Sequence, residues 1–171
     1  GTVGLPLPSV EVRISDGEGG IGTIEVRGPN VFAGYWRNPE KTASEFREGG
    51  WFITGDLGRI DAQRYVHIIG RGKDLIITGG YNVYPKEVED AIDALPGVSE
   101  SAVIGVPHDD FGEAVVAVVV GTDLDPVMTL SQLRTTLAAY KLPKVIHIVD
   151  ELPRNTMGKV QKTVLRDRFT P

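Results

Sequence analysis

Four short segments carry side chains whose types and spacing could do chemistry. Asp56 closes Thr54-Gly55-Asp56. A carboxylate held there at a fixed turn can accept two hydrogen bonds from a diol such as a ribose, although the same triplet also reads as a strand-ending turn. Arg71, between Gly70 and Gly72, reads on its own as a surface arginine. Gly79-Gly80 is either a plain turn or a point where a ligand passes too close to admit a Cβ. Lys159 ends Pro153-Arg154-Asn155-Thr156-Met157-Gly158-Lys159, rich in turn formers and poor in anything to bury. A lysine in such a loop is solvated unless a phosphate is brought to it.

Other glycine-rich chemistries fail on spacing. Gly70-Arg71-Gly72 follows a strand, but Leu75 stands where a dinucleotide fingerprint needs its third glycine, and a strand follows instead of a helix. Gly158-Lys159 lacks the Ser/Thr and the first glycine of a P-loop, with Val160 and Pro153 at those places. His67, His108 and His147 have no metal-ligand spacing, so no metal site is expected. Cysteine is absent, which excludes disulfides, zinc thiolates and thiol catalysis.

The elements around these segments fall into two styles. Val10–Ile14 and Thr23–Arg27 alternate apolar and polar residues, as a hairpin with a loop longer than two residues would. Pro39–Phe46 predicts a short helix with Asn38 as cap and Pro39 at its first position. Gly58–Ile60 and Tyr65–Ile69 predict a strand pair. After Arg71 the pattern becomes mixed. Leu75–Ile77 reads as a strand, and Pro85 opens a helix with Val88, Ala91, Ile92 and Leu95 on one face. Ser101–Val106 and Ala114–Val120 read as buried strands, Thr129–Ala139 as a helix and Val145–Val149 as a strand. Lys162–Phe169 reads as a last helix. The break at Gly70-Arg71-Gly72-Lys73 divides the chain into a β-rich part, 1–70, and a small mixed α/β part, 71–171. The fold class is α/β (α+β).

The 171 residues, 41% apolar and 24% charged, are enough for a packed core. The longest apolar run, Ala114–Val120, is far too short to span a bilayer, so no membrane association and a cytoplasmic location are expected. A net charge of −5 argues against a nucleic-acid partner. From Lys141 onward seven Lys/Arg face three acids, +4, leaving −9 on the first 140 residues. A basic stretch of this kind serves a phosphate-rich ligand or is a solvated helix. The chain opens with Gly1 and strand-like sequence, as expected of a piece of a longer protein.

The four segments in this order resemble the adenylate-forming superfamily of acyl-CoA synthetases, peptide-synthetase adenylation domains and luciferases. The resemblance rests on Trp51-Phe52-Ile53-Thr54-Gly55-Asp56, Gly70-Arg71-Gly72-Lys73-Asp74, Gly79 through Glu89, and Pro153 through Lys159. It covers the whole chain and implies a β-rich terminal subdomain of the large domain followed by a small mobile C-terminal domain. The family's upstream phosphate loop and its aromatic–Gly–x–Thr–Glu segment are not in the chain. Within the superfamily, Gly34 through Ala43, Gly80 through Glu89 and Leu152 through Lys162 look like bacterial malonyl-CoA synthetases.

The resemblance implies two half-reactions: a carboxylic acid and ATP give an acyl-adenylate and diphosphate, then CoA displaces AMP. It assigns Asp56 and Arg71 to the ribose, Ile68 to the nucleoside, Lys159 to the charge developing during adenylation, and Lys73 to a hinge. Gly79-Gly80 would pass the pantetheine arm, and Phe111, Tyr140 and Lys141 would meet the CoA nucleotide. Mg²⁺ would accompany ATP, with its protein ligand outside this chain. Lys159 would also suit a lysine acetyltransferase as partner. Two rivals stand beside this reading. One is a carrier-loading adenylation domain, against which the nine residues after Lys162 hold no carrier module. The other is a non-catalytic α/β binding module or a regulatory target read by another protein, and within the synthetase reading another short- or medium-chain acid stays open.

Overall fold

The structure is a computed structural model that describes residues 2–170, without the side chain of Glu18. It divides into two compact units, Gly1–Lys73 and Asp74–Pro171. The division falls beyond the break in composition because Arg71 is still paired with Asp56 across two neighbouring strands.

The first unit is an antiparallel sheet. Strands β1 (Glu11–Glu18) and β2 (Ile21–Arg27) form a hairpin, and β2 continues onto β4 (Trp51–Ile60). The other edge of β4 takes β3 (Phe46–Arg47) near its start and β5 (Val66–Arg71) near its end. The β1–β2 connection is shorter than expected. Glu18 pairs with Ile21 across a two-residue turn, and the register shift between Ser15 and Glu18 absorbs Asp16-Gly17 into the strand. Helix α1 (Pro39–Glu45) starts where its cap predicts, the Asn38 side chain accepting from the Lys41 amide at 3.0 Å.

Two clusters hold this sheet. Phe32 meets Tyr35, Phe46 and Phe52 edge-on, with ring centroids 5.1 to 5.6 Å apart. On β2, Glu25 is fully buried and is bound by Arg13, Ser15 and Arg47. Burial acts to raise the Glu25 pKa, but the hydrogen bonds from Ser15, Arg13 and Arg47 outweigh it and hold the carboxyl below its ordinary range.

The second unit is a mixed sheet centred on one long hairpin, β8 (Val98–His108) and β9 (Gly112–Gly121). β10 (Val145–Ile148) runs parallel to β9 after a crossover through helix α3 (Pro126–Leu133). A small hairpin, β6 (Ile76–Thr78) and β7 (Tyr81–Val83), joins β9 at Thr78 and Gly112. Helix α3 begins and ends earlier than the leucine stripe predicts. The Asp125 side chain caps it, with Pro126 at its first position, and Thr135 and Thr136 lie beyond its end.

Alternate residues of β8 and β9 build two cores. Val103, Val115, Ala117 and Val119 pack with α2 (Pro85–Asp93), through Val88 and Ile92, and with Leu133 of α3. Ala102, Ile104, Val116 and Val118 pack on the opposite face with Leu152, Val160 and Leu165 of α4 (Lys162–Phe169). Each fully buried Leu or Ile contributes about 1.5–3 kcal/mol.

Candidate active site

Thr54, Gly55 and Asp56 lie inside β4 and do not end it. Glu25 on β2 faces Ile53, whereas Thr23 faces Leu57, so β4 carries extra residues here and bulges. Gly55 takes φ +74°, and the Thr54 hydroxyl donates to the Ile24 carbonyl at 2.8 Å while accepting from the Asp56 amide at 3.1 Å. The bulge aims Asp56 at β5. There the Asp56 carboxylate meets Arg71 Nε at 2.9 Å, and Arg71 Nη1 reaches the Thr54 carbonyl at 3.4 Å. Arg71 is the more exposed partner, at 54% against 24%. An open cleft of about 240 Å³ is lined by Asp56, Thr54 and the apolar Val12, Ile24, Val26 and Ile68, among others. Ile68 and Asp56 therefore line the same cleft, an apolar surface that includes a carboxylate paired with the Arg71 guanidinium. That combination suits a flat ring with hydroxyl groups attached.

In the second unit, Gly79-Gly80 is the two-residue turn of the β6–β7 hairpin, with φ of +56° and +81°. Both angles lie in the left-handed region where residues with a Cβ are strained, which is why a glycine pair serves. A Cβ at Gly80 would meet nothing within 4 Å, and one at Gly79 would touch only Phe111, at 3.6 Å. Phe111 accepts the Gly79 amide at 2.9 Å through its carbonyl. Tyr140 stacks on Tyr81 at 4.7 Å. Lys141 follows it and pairs with Glu87 at 2.5 Å. Burial lowers the Lys141 pKa and Glu87 raises it, leaving it above the ordinary lysine value. Phe111 thus lies against the glycine turn and Tyr140 stacks beside it on Tyr81, whereas Lys141 is held by Glu87 of α2.

Lys159 stands on a separate loop of this unit. Arg154 and Val160 bridge its ends, and the Asn155 side chain accepts the Met157 and Lys159 amides, each at 3.0 Å. The Arg154 guanidinium donates to the Gly158 carbonyl at 2.6 Å and pairs with Glu100. The backbone is therefore tied at both ends while the Lys159 side chain is exposed. Among the described residues no carboxylate pairs with it. Lys73, also exposed, is the middle residue of a 3₁₀ turn, Gly72–Asp74.

Reading from the sequence passed over Asn155, Asp74 and Arg166. An asparagine four residues before a lysine, with a glycine between them, is the signal of an Asx turn and was available for Asn155. Asp74 meets Arg166 at 2.7 Å across a large sequence separation that no local pattern announces.

The profile of the AMP-binding enzyme C-terminal domain matches residues 87–159. Over 98% of its length the chain is 42% identical to a long-chain-fatty-acid–CoA ligase of Yersinia pestis, and over 99% it is 45% identical to a feruloyl-CoA synthase of Amycolatopsis. The chain belongs to the adenylate-forming superfamily. It spans 31% and 36% of those two superfamily members, about a third of their length. Among solved adenylate-forming structures, ATP-bound MatB of Rhodopseudomonas palustris matches 99% of the chain, and 36% of its own, at 61% identity and a TM-score of 0.94. The apo structure of the same protein matches at the same identity with a TM-score of 0.72.

Proposed function

We propose that this chain is part of an ATP-dependent, AMP-forming acyl-CoA synthetase whose acid is malonate. The observation that carries the reading is Lys159, an exposed ammonium on a stiffened loop that pairs with no carboxylate among the described residues. In the first half-reaction a carboxylate oxygen attacks the α-phosphorus of ATP, the α–β phosphoanhydride bond breaks, and diphosphate leaves. Lys159 stabilises the negative charge that builds on the acyl and phosphate oxygens, an effect worth about 3 kcal/mol when water is shielded out. Asp56 accepts the ribose hydroxyls, Arg71 holds the same sugar, and Ile68 packs on the nucleoside.

In the second half-reaction the CoA sulfur attacks the acyl carbon and AMP leaves. Gly79-Gly80 gives the pantetheine arm a path without side chains, and Phe111, Tyr140 and Lys141 receive the CoA nucleotide. The two steps alternate by rotation of the second unit about Lys73. In support, the ATP-bound and apo structures of MatB match this span differently, so that relative takes more than one shape here. Mg²⁺ enters with ATP, and among the described residues no three metal-ligating side chains converge to hold it. ATP and CoA are soluble, and a cytoplasmic location goes with them. Acetylation of the exposed Lys159 would remove the charge on which the first step depends.

Malonate is favoured by the resemblance of Gly34 through Ala43, Gly80 through Glu89 and Leu152 through Lys162 to bacterial malonyl-CoA synthetases, and the 61% identity to MatB goes with it. The test is ATP–diphosphate exchange by the full-length protein with malonate, ferulate, acetate and a long-chain fatty acid. Malonate should give the highest kcat/KM. Faster exchange with another acid would remove the malonate assignment, and exchange with none of them would count against the synthetase reading.

A further inference from the structure

Helix α4 is clamped by charge at two successive turns. Lys162 pairs with Glu89 of α2 at 2.6 Å, and one turn later Arg166 pairs with Asp74 at 2.7 Å. All four side chains are largely withdrawn from water, between 13% and 29% exposed. Leu165, 1% exposed, sits between the two pairs and seats the helix in the core with Ile104 and Val118. Apolar burial therefore suffices to dock α4. Partly buried ion pairs add little net stability but fix one geometry, because their desolvation is repaid only when the partners meet well.

The two ends of this clamp matter. Asp74 is the first residue of the second unit, adjacent to Lys73. At its other end α4 is continuous with the Lys159 loop: Gln161 precedes the helix, accepts the Leu165 amide at 3.3 Å, and donates its own amide to the Pro153 carbonyl at 2.8 Å. Val160, next to Lys159, packs in the same core as Leu165. A connected path of ion pair, helix and loop thus runs from the start of the unit to the lysine. Resting on the role given to Lys159 above, we infer that Asp74 and Arg166 are a positioning pair that sets where Lys159 is delivered when the unit turns about Lys73. Without the pair α4 stays docked by Leu165, but its second turn, and the loop joined to it, is no longer referenced to the hinge.

The test uses the full-length protein and measures the two half-reactions separately. Arg166→Ala should lower kcat for ATP–diphosphate exchange on the order of tenfold to a hundredfold, while thioester formation from pre-made malonyl-adenylate changes by no more than about twofold. Arg166→Lys should restore part of the exchange. Asp74→Asn should match Arg166→Ala, and the double variant should be no worse than either. Equal loss of both half-reactions in a folded variant would reduce the pair to a structural brace, and unchanged exchange or additive losses would also overturn its role. If Arg166→Ala does not fold, the nearly isosteric Asp74→Asn carries the same comparison. Lys159→Ala run in parallel separates the two readings. Exchange that survives there removes both, whereas exchange lost there but normal in Arg166→Ala removes only the positioning pair.

Discussion

Asn155 and Lys159 bind each other twice. The Lys159 amide donates to Asn155 Oδ1 at 3.0 Å, and the Asn155 amide donates to the Lys159 carbonyl at 2.9 Å. Lys159→Ala should lower adenylate formation by about 10²–10³ and spare the thioester step from a pre-made adenylate. Asn155→Ala keeps the ammonium but loosens its loop, so the same step should fall by a smaller factor, with stability lower by about 1 kcal/mol. Separate assays of the two half-reactions check both variants. Equal loss of the two steps in folded Lys159→Ala would contradict the role proposed for the lysine.

Gly80→Leu should slow CoA capture and leave diphosphate exchange intact. The space at Gly80 is open, so the obstruction would be to a ligand and not to the fold. The left-handed backbone there adds a strain of about 1–2 kcal/mol for any residue with a Cβ. Gly80→Asn, which tolerates that conformation, is the control for strain. Thioester kinetics in Gly80→Leu that match wild type would make the glycine pair only a turn.

Lys73→Pro should fix the hinge. A 3₁₀ residue has φ close to that of proline, so the substitution holds the turn in the form observed. If the form so fixed is the adenylating one, diphosphate exchange survives while CoA ester production falls sharply; if it is the thioester-forming one, the two effects exchange. Overall turnover equal to wild type would remove the hinge. Residues 74–171, with two cores of their own, should fold alone, and circular dichroism of that fragment checks it.

Glu25 supplies a pH-dependent share of the first unit's stability. Its carboxyl is held below the ordinary 4.5, so the contribution is complete above that pH and is lost as pH falls through the lowered folded value. Glu25→Gln should cost about 2 kcal/mol at pH 7, since Arg13 and Arg47 remain half exposed and can solvate. The gap between wild type and variant in urea unfolding should narrow as pH drops from 6 to 3, in steps of about one unit. A gap that does not change with pH would show that the carboxylate's charge is not what matters.

Much of this was legible in the residues, for local reasons. Asn38-Pro39 carries a complete helix-start signal, and both the helix it opens and the one read over Lys162–Phe169 form there. Asp125-Pro126 carried the same signal but was outweighed by the leucine stripe that follows, so α3 was placed too late. Gly19-Gly20 and Asp16-Gly17 are equally good turn sequences, and only pairing with β2 decides between turn and bulge. The resemblance named Asp56 and Arg71 together, but their meeting depends on a strand register that composition does not encode. Asp74 and Arg166 lay beyond any local reading for the same reason.

The alternation along β9 has a consequence for variation. Ala114, Val116 and Val118 look toward α4 and the segment that bears the lysine, while Val115, Ala117 and Val119 look toward α2 and α3. Neighbouring codons of one strand therefore write to opposite sides of the sheet. A saturation library across this stretch, selected once for abundance and once for turnover, would show a period of two: every other position would separate the two selections, and those between would not.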